Sequence, residues 1–276
     1  MAYKTIIVLM NESENVHSCV EAAATIAKEE DAHLIGVAIT GITRFLKETV
    51  TVDKDNPHIV PFINVLRKRA YQSLEKFDAI ASETGVKSLE TRTVDNPFAQ
   101  DAGLLGACCD LLVLGQIDAN DSTSIDAEIT ADLLIRSACP VLMMPANKPF
   151  KKVGSHVLIA WDGSTESVRA VREALPFLQK AENVHLVTFT HGLHAEEQQS
   201  LAFIQAYLMR YGVHVDVSER ATNASFGDAL LMLIDSTHAN LLVMGCYSHS
   251  PLREMLFGGV TRKILHTMNT PVLFSH

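Results

Sequence analysis

Apolar and polar positions follow a repeating order along the 276 residues. A short continuous apolar run comes first, then a polar turn, then apolar residues three and four apart. A continuous run is what a parallel strand covered on both faces presents, and three–four spacing marks one face of a helix. Thr5–Met10 is the first such run. Asn11-Glu-Ser-Glu14 is a polar turn with capping residues, and Val16, Val20, Ala23, Ala24 and Ala27 follow at helical spacing. His33–Ala38 reads as a second strand, and residues 41–61 show no period and predict an excursion with little regular structure. Ile63, Leu66, Ala70, Leu74 and Phe77 predict a long helix, and Leu89–Val94 a third strand. Asn96-Pro97 suits an N-cap and first helical residue, opening a helix to about Ala107. Asp110–Gly115 is a fourth strand, Ile129–Ser137 a helix, and Cys139–Met144 a fifth strand.

After a Pro-, Gly- and Lys-bearing linker at 146–155 the order repeats. His156–Trp161 is a strand, Asp162-Gly-Ser164 a turn, and a helix runs to about Gln179. Val184–Phe189 is the next strand. Leu201, Ile204, Leu208 and Tyr211 mark a helix, Val213–Val217 a third strand, and Leu230, Leu233 and Ile234 another helix. Leu241–Gly245 and Pro271–Phe274 supply the last two strands. Local pairs support tandem copies: Leu111–Gly115 with Leu241–Gly245, and Cys139–Leu142 with Thr270–Leu273. The fold class that follows is α/β: two tandem doubly wound parallel-sheet domains, five strands each with helices on both faces, over residues 1–147 and 154–276. The fifth strands, Val141–Met144 and Val272–Phe274, are predicted to meet, because an apolar edge otherwise exposes unpaired backbone groups. The chain then resembles an internal pseudo-dimer, with a homodimer as a further association.

Composition narrows the function. Hydrophobic residues make up 47 %, enough for packed cores, yet no run approaches the roughly 20 apolar residues of a membrane span. The first residues are too short an apolar stretch for a signal peptide, so a cytoplasmic protein without a membrane partner is expected. The net charge of −9 argues against a nucleic-acid partner. Residues 1–150 carry 13 Lys and Arg against 21 Asp and Glu, whereas residues 151–276 carry 10 against 11, so the second half is less hostile to an anion. Five cysteines without a CxxC pair suggest neither a disulfide framework nor a zinc site. Cys108 and Cys109 read as buried, and Cys246 as the cysteine to test for reactivity. The twelve histidines show no tight ligand spacing, and no metal is assigned.

The candidate chemistry lies at 244–260, where an apolar strand leads through a glycine-flanked loop into a helix. First-turn N–H groups lack partners, the helix dipole adds partial positive charge, and glycine admits a phosphate to the backbone. The residues alone also read as a tight strand-to-helix connection, with glycines needed only for φ > 0. The loop runs Gly245, two residues, Ser248, nine residues, Gly258, Gly259. This spacing resembles the nucleotide loop of the universal stress protein family, in which the second position is Gly and the last is Ser or Thr. The whole chain resembles a tandem member of that family, one unit per half.

The resemblance implies an adenine nucleotide, ATP or AMP, in the second half, with Mg only as an ion the nucleotide carries. It places Asp162 against adenine and Phe189 in the base pocket. Met244 and Gly245 would face ribose and phosphates, and Ser248, Gly258, Gly259 and Val260 would cradle phosphate oxygens. His249 and Arg253 lie inside the loop, where His249 also reads as solvent-facing and Arg253 as a surface ion-pair residue. Asp162 reads equally as an ordinary turn residue. Arg262 and Lys263 read as helix-face residues. The first half departs from the pattern: Asn11 stands for the Asp, Ala127 aligns with Gly258, and Asp118, Asp121, Asp126 and Glu128 would repel phosphate.

The resulting expectation is a stress-response protein that senses or holds an adenine nucleotide in its second domain. Its rivals are a weak ATPase and an interaction module whose loop is empty. No GxxxxGK[ST] and no acid–base or nucleophile–base constellation is evident, so an enzyme is the less favoured reading and no catalytic residue is assigned.

Overall fold

The computed structural model describes residues 2–10, 15–49, 56–95, 108–116, 127–146, 150, 152–189, 195–246 and 259–276. The fold is α/β, with two compact units: Tyr3–Ser137, and Ala138–His276 together with Ala2.

In the first unit the strands are β1 (Thr5–Met10), β2 (His33–Ile39), β3 (Leu89–Val94) and β4 (Leu111–Gly115). They pair in parallel in the order β3-β2-β1-β4. The apolar runs of β1 and β4 are buried throughout Ile6–Met10 and Leu111–Leu114, as two covered faces require. The helix Val16–Glu30 buries Val16, Cys19, Val20, Ala23, Ala24 and Ala27. The helix Val60–Thr84 buries Ile63, Ala70, Leu74 and Phe77 and ends at Gly85 with φ +87°. Phe77 lies over β2 at Gly36, where a Cβ would come 2.7 Å from its ring. Helix and strand therefore approach only because that position lacks a side chain.

The excursion at 41–61 is more ordered than its lack of period predicts. Ile42–Glu48 forms a helix, and Ile42, Ile59 and Ile63 bury one another with Phe45, Leu46 and Leu66 alongside. Phe45 stacks on Phe62 with centroids 5.8 Å apart. About two turns of helix are too short to establish a period, and the stability of this one comes from docking on the next helix. The helix expected from Asn96-Pro97 lies outside the described residues.

In the second unit the strands are β5 (Val141–Met144), β6 (His156–Ala160), β7 (Asn183–Phe189), β8 (Asp216–Arg220), β9 (Leu241–Gly245) and β10 (Val272–Ser275), in the order β5-β10-β9-β6-β7-β8. All pair in parallel except β5, which runs antiparallel to β10 with Leu142 opposite Leu273. The two strands expected to meet do so, and β5 lies in the same compact unit as β10. The helices are Thr165–Glu173, Leu175–Leu178, Ala195–Arg210, Phe226–Thr237 and Gly259–Thr267.

Two boundaries differ from the sequence pattern. The helix expected to reach Gln179 divides after Glu173, with Pro176 in the first turn of the shorter piece, where its missing N–H is harmless. The strand placed at Val213–Val217 is displaced to Asp216–Arg220. Val213 and Val215 are buried, but they lead into the strand, and the paired segment at the sheet edge is polar. Apolar content marked the approach to the sheet and not the ladder.

Candidate functional site

The carboxyl ends of β6, β7 and β9 bring the sequence-designated positions of the second half together. β6 lies between β7 and β9, with Ala160 opposite both Val187 and Met244. Beyond β6 the Trp161 N–H donates to the Val187 carbonyl at 2.9 Å, and the chain then turns. Asp162 Oδ1 accepts from the Ser164 N–H at 3.0 Å and from Ser164 Oγ at 2.6 Å. Ser164 Oγ in turn accepts from the Ser167 N–H at 3.1 Å and caps the helix Thr165–Glu173. Gly163 between them has φ +73°, which a side chain would strain. Asp162 is exposed, and only its Oδ1 is engaged among the described residues. Its turn role and a free acceptor edge thus coexist.

At the end of β9 Gly245 has a packing reason for being glycine. A Cβ there would lie 2.7 Å from the Ser167 nitrogen and 2.8 Å from the Glu166 carbonyl carbon. The strand end abuts the first turn of the helix after β6, so the backbones touch. Met244 is buried and pairs with Phe274 across β10. The next residue corrects a sequence expectation. Cys246 is 1 % exposed, and burial, with Glu166 and Glu173 adding negative charge, pushes its thiol up to about 12. A reactive thiolate needs the opposite environment. Cys108, expected to be buried, is exposed, and Cys109 is half-buried.

Phe189 ends β7 and stacks on Phe226, the first residue of the helix Phe226–Thr237, with centroids 5.7 Å apart and planes 17° from parallel. The N-terminus of that helix is held by Ser225, whose Oγ accepts from the Asp228 N–H at 3.2 Å and donates to Asp228 Oδ2 at 2.6 Å. Lys263 stands 2.9 Å from Asp228 Oδ1. The Ser225 hydroxyl first, and Lys263 second, hold the Asp228 carboxyl below its ordinary range. A Cβ at Gly227 would meet Lys263 Cγ at 2.9 Å, with the Val260 Cα 3.9 Å away. The helix Gly259–Thr267, which follows the loop, therefore packs its first turns on the helix that carries Phe226. Gly259 itself is exposed, with nothing within 4 Å of a Cβ placed on it.

Asp162, Phe189, Met244, Gly245, Gly259 and Val260 thus lie on elements that meet at one end of the sheet. Ser248, His249, Arg253 and Gly258 lie outside the described residues. Phe226 and the Ser225–Asp228 pair were not among the sequence candidates. The signal for them was present as Ser-x-x-Asp ahead of an apolar run, a helix-start motif.

In the first half the corresponding strand end is filled differently. Asn15, buried at the start of its helix, donates from Nδ2 to the Gln116 carbonyl at 3.5 Å. A Cβ on Gly115 would lie 2.9 Å from the Asn15 amide. A side-chain amide occupies the space beside β4. Among the described residues no group of His, Cys, Asp or Glu could hold a metal ion, and no helix is long and apolar enough to cross a membrane.

Residues 190–276 match the model of the universal stress protein family. No curated protein sequence matches the chain. Among solved structures, a universal stress protein from Archaeoglobus fulgidus DSM 4304 is similar over 98 % of this chain and 97 % of its own, with a TM-score of 0.74 at 15 % identity. A protein from Pseudomonas aeruginosa UCBPP-PA14 assigned to the same family covers 99 % and 93 %, with a TM-score of 0.64 at 17 % identity. A functionally unknown protein from Pseudomonas aeruginosa PAO1 covers 99 % and 92 %, with a TM-score of 0.61 at 17 % identity. Residues 190–276 are thus similar to the universal stress protein family, and nearly the whole chain has the fold of a universal stress protein of similar length.

Proposed function

We propose that this protein binds an adenine nucleotide, ATP or AMP, in its second half, and acts as a sensor or regulator and not as a catalyst. The observation that carries this reading is the convergence at the ends of β6, β7 and β9. A carboxylate with an open oxygen, an aromatic pair and the start of the helix Gly259–Thr267 meet there. These suit an exocyclic amine, a base and an anionic tail respectively. The loop spacing from Gly245 to Gly259 supports the same reading, as does the near-neutral balance of charge in residues 151–276.

A second reading is an interaction module without nucleotide. It is favoured by Ser248 and Gly259, which stand where the family loop has Gly and a hydroxyl residue. Mass spectrometry of small molecules released on denaturing the purified protein separates the two.

The site is assigned to the second half alone, and a matched pair of variants tests this. Gly258→Val adds a β-branched side chain at the loop end and is expected to abolish ATP binding. Ala127→Val, at the aligned position of the first half, leaves it unchanged. Titration calorimetry reads one nucleotide per chain in the wild type; two per chain, or equal losses in both variants, overturns the assignment.

A further inference from the structure

We propose that the outward face of the helix Ala195–Arg210 is a dimer surface, on which a second copy of this chain lays the same helix antiparallel to the first. The proposal stands apart from the nucleotide reading, because it uses no residue of the candidate site.

This helix is apolar on two sides. Leu201, Ile204 and Leu208 are buried within the unit. Ala202, Phe203 and Met209 are exposed, Phe203 at 67 % and Met209 at 60 %, and Ala206 is half-buried. One apolar stripe docks a helix on its own sheet, so a second stripe calls for a second cover. Gln199, Ala202, Ala206 and Met209 recur at three–four–three spacing, the seam of a paired helix and not a scatter of exposed side chains. Phe203, Tyr207 and Tyr211 stand four apart along one edge of that seam, and the two tyrosine rings lie 5.0 Å apart. The fold itself does not require an apolar outer face. The helix Val60–Thr84 makes the same crossover in the first unit, from β2 to β3. Opposite its buried face it carries Lys68, Gln72, Glu75 and Ala79, all exposed.

Charge and shape select the occupant. The chain carries −9, so two copies meet with least repulsion where the surface is uncharged. From Gln199 to Met209 the helix has no charged residue. A lipid surface would call for Lys and Arg along the flanks, and only Arg210 stands at the end of the seam. Reversed on itself about residue 204, the seam sets Met209 against Gln199 and Ala202 against Ala206. The helices then approach closest at the alanines, and the longer side chains close both ends. Parallel pairing would bring Arg210 beside Arg210. Reversal keeps the two Arg210 residues about 18 Å apart along the axis, about twice the Debye length in physiological salt. The result is a two-fold contact of one surface with itself.

Sedimentation velocity on the full chain over about 1–200 µM tests this, since a contact of about three helical turns is small and dissociates on dilution. Wild type is expected to pass from monomer to dimer across that range. Ala206→Glu and Phe203→Ser each change a side chain on the outward face, and thermal melting is expected to show their fold intact. Each is expected to weaken the dimer at least about 10-fold, Ala206→Glu because it buries an unpaired carboxylate at the closest approach. Met232→Ser, at a residue 67 % exposed on another helix, is expected to leave it unchanged. Met209→Lys weakens the dimer, and adding Gln199→Glu restores it, because reversal sets those two positions opposite each other. A wild type that stays monomeric overturns the proposal, and sedimentation of that monomer with phosphatidylcholine vesicles would make lipid the occupant instead. A dimer that persists in Ala206→Glu and Phe203→Ser overturns the surface, and a failure of Gln199→Glu to rescue Met209→Lys overturns the antiparallel alignment.

Discussion

At the scale of single residues, the two described glycines of the loop motif do different work. Gly245 is glycine because backbone lies 2.7 Å from where its Cβ would be, whereas Gly259 faces open space. Gly245→Ala is therefore expected to cost about 1–3 kcal/mol, as overpacking does. Gly259→Ala stays within about 1 kcal/mol of wild type, since it adds helix propensity and meets no obstacle. Urea denaturation of both variants checks the contrast, and equal stabilities would show that β9 and the helix Thr165–Glu173 do not abut. Glu173 offers a pH test. Burial raises its carboxyl above the ordinary value, against the opposing effects of Ser275, Arg169 and Arg172. The folded state then binds more protons than the unfolded chain. The contribution is complete below the ordinary carboxylate value of about 4.3 and is lost as pH rises through the raised folded value. Glu173→Gln should remove this loss. Denaturation midpoints between about pH 4 and 8 should therefore decline less with rising pH in the variant, and parallel profiles would refute the assignment.

At the scale of elements, the β5–β10 pair is the feature most open to measurement. Leu142 and Leu273 are fully buried and face each other across an antiparallel ladder. Each Leu→Ala change is expected to cost about 2–5 kcal/mol. The double variant should depart from the sum by at least about 0.5 kcal/mol, since the residues touch the same neighbours. Strict additivity would mean that the strands do not pair in solution. The short helix Ile42–Glu48 and the displaced strand β8 make a related point. Both are stabilised by what they dock on, so neither announces itself by local period.

At the scale of the whole molecule, two halves with one plan differ in charge and in the filling of the strand ends. Residues 1–150 carry most of the net charge of −9. Carboxylates a few ångströms from a phosphate repel it by about 1 kcal/mol each in water, more than a helix dipole reliably offsets. Asn15 beside Gly115 adds a steric difference, since its amide stands at the end of β4. The chain as a whole is expected not to turn over ATP. Phosphate release at about 1 s⁻¹, within the ordinary enzyme range, that disappears in Gly258→Val would show otherwise.

The alternation of strands and helices, the tandem repeat and the end of the sheet that carries the candidate site were all legible in the sequence. Each depends on local period or on turn chemistry, and a run such as Leu241–Gly245 contains that information within itself. Asp162, Gly245 and Gly259 could be picked out for the same reason, as they sit at the turns between periodic segments. The antiparallel partner of β5, the stack of Phe226 on Phe189, the burial of Cys246 and the packing need at Gly245 were decided only by tertiary structure. Each is a distance between residues on separate elements. Local period fixes which face of an element is apolar, but it carries no information about which distant residue will meet that face.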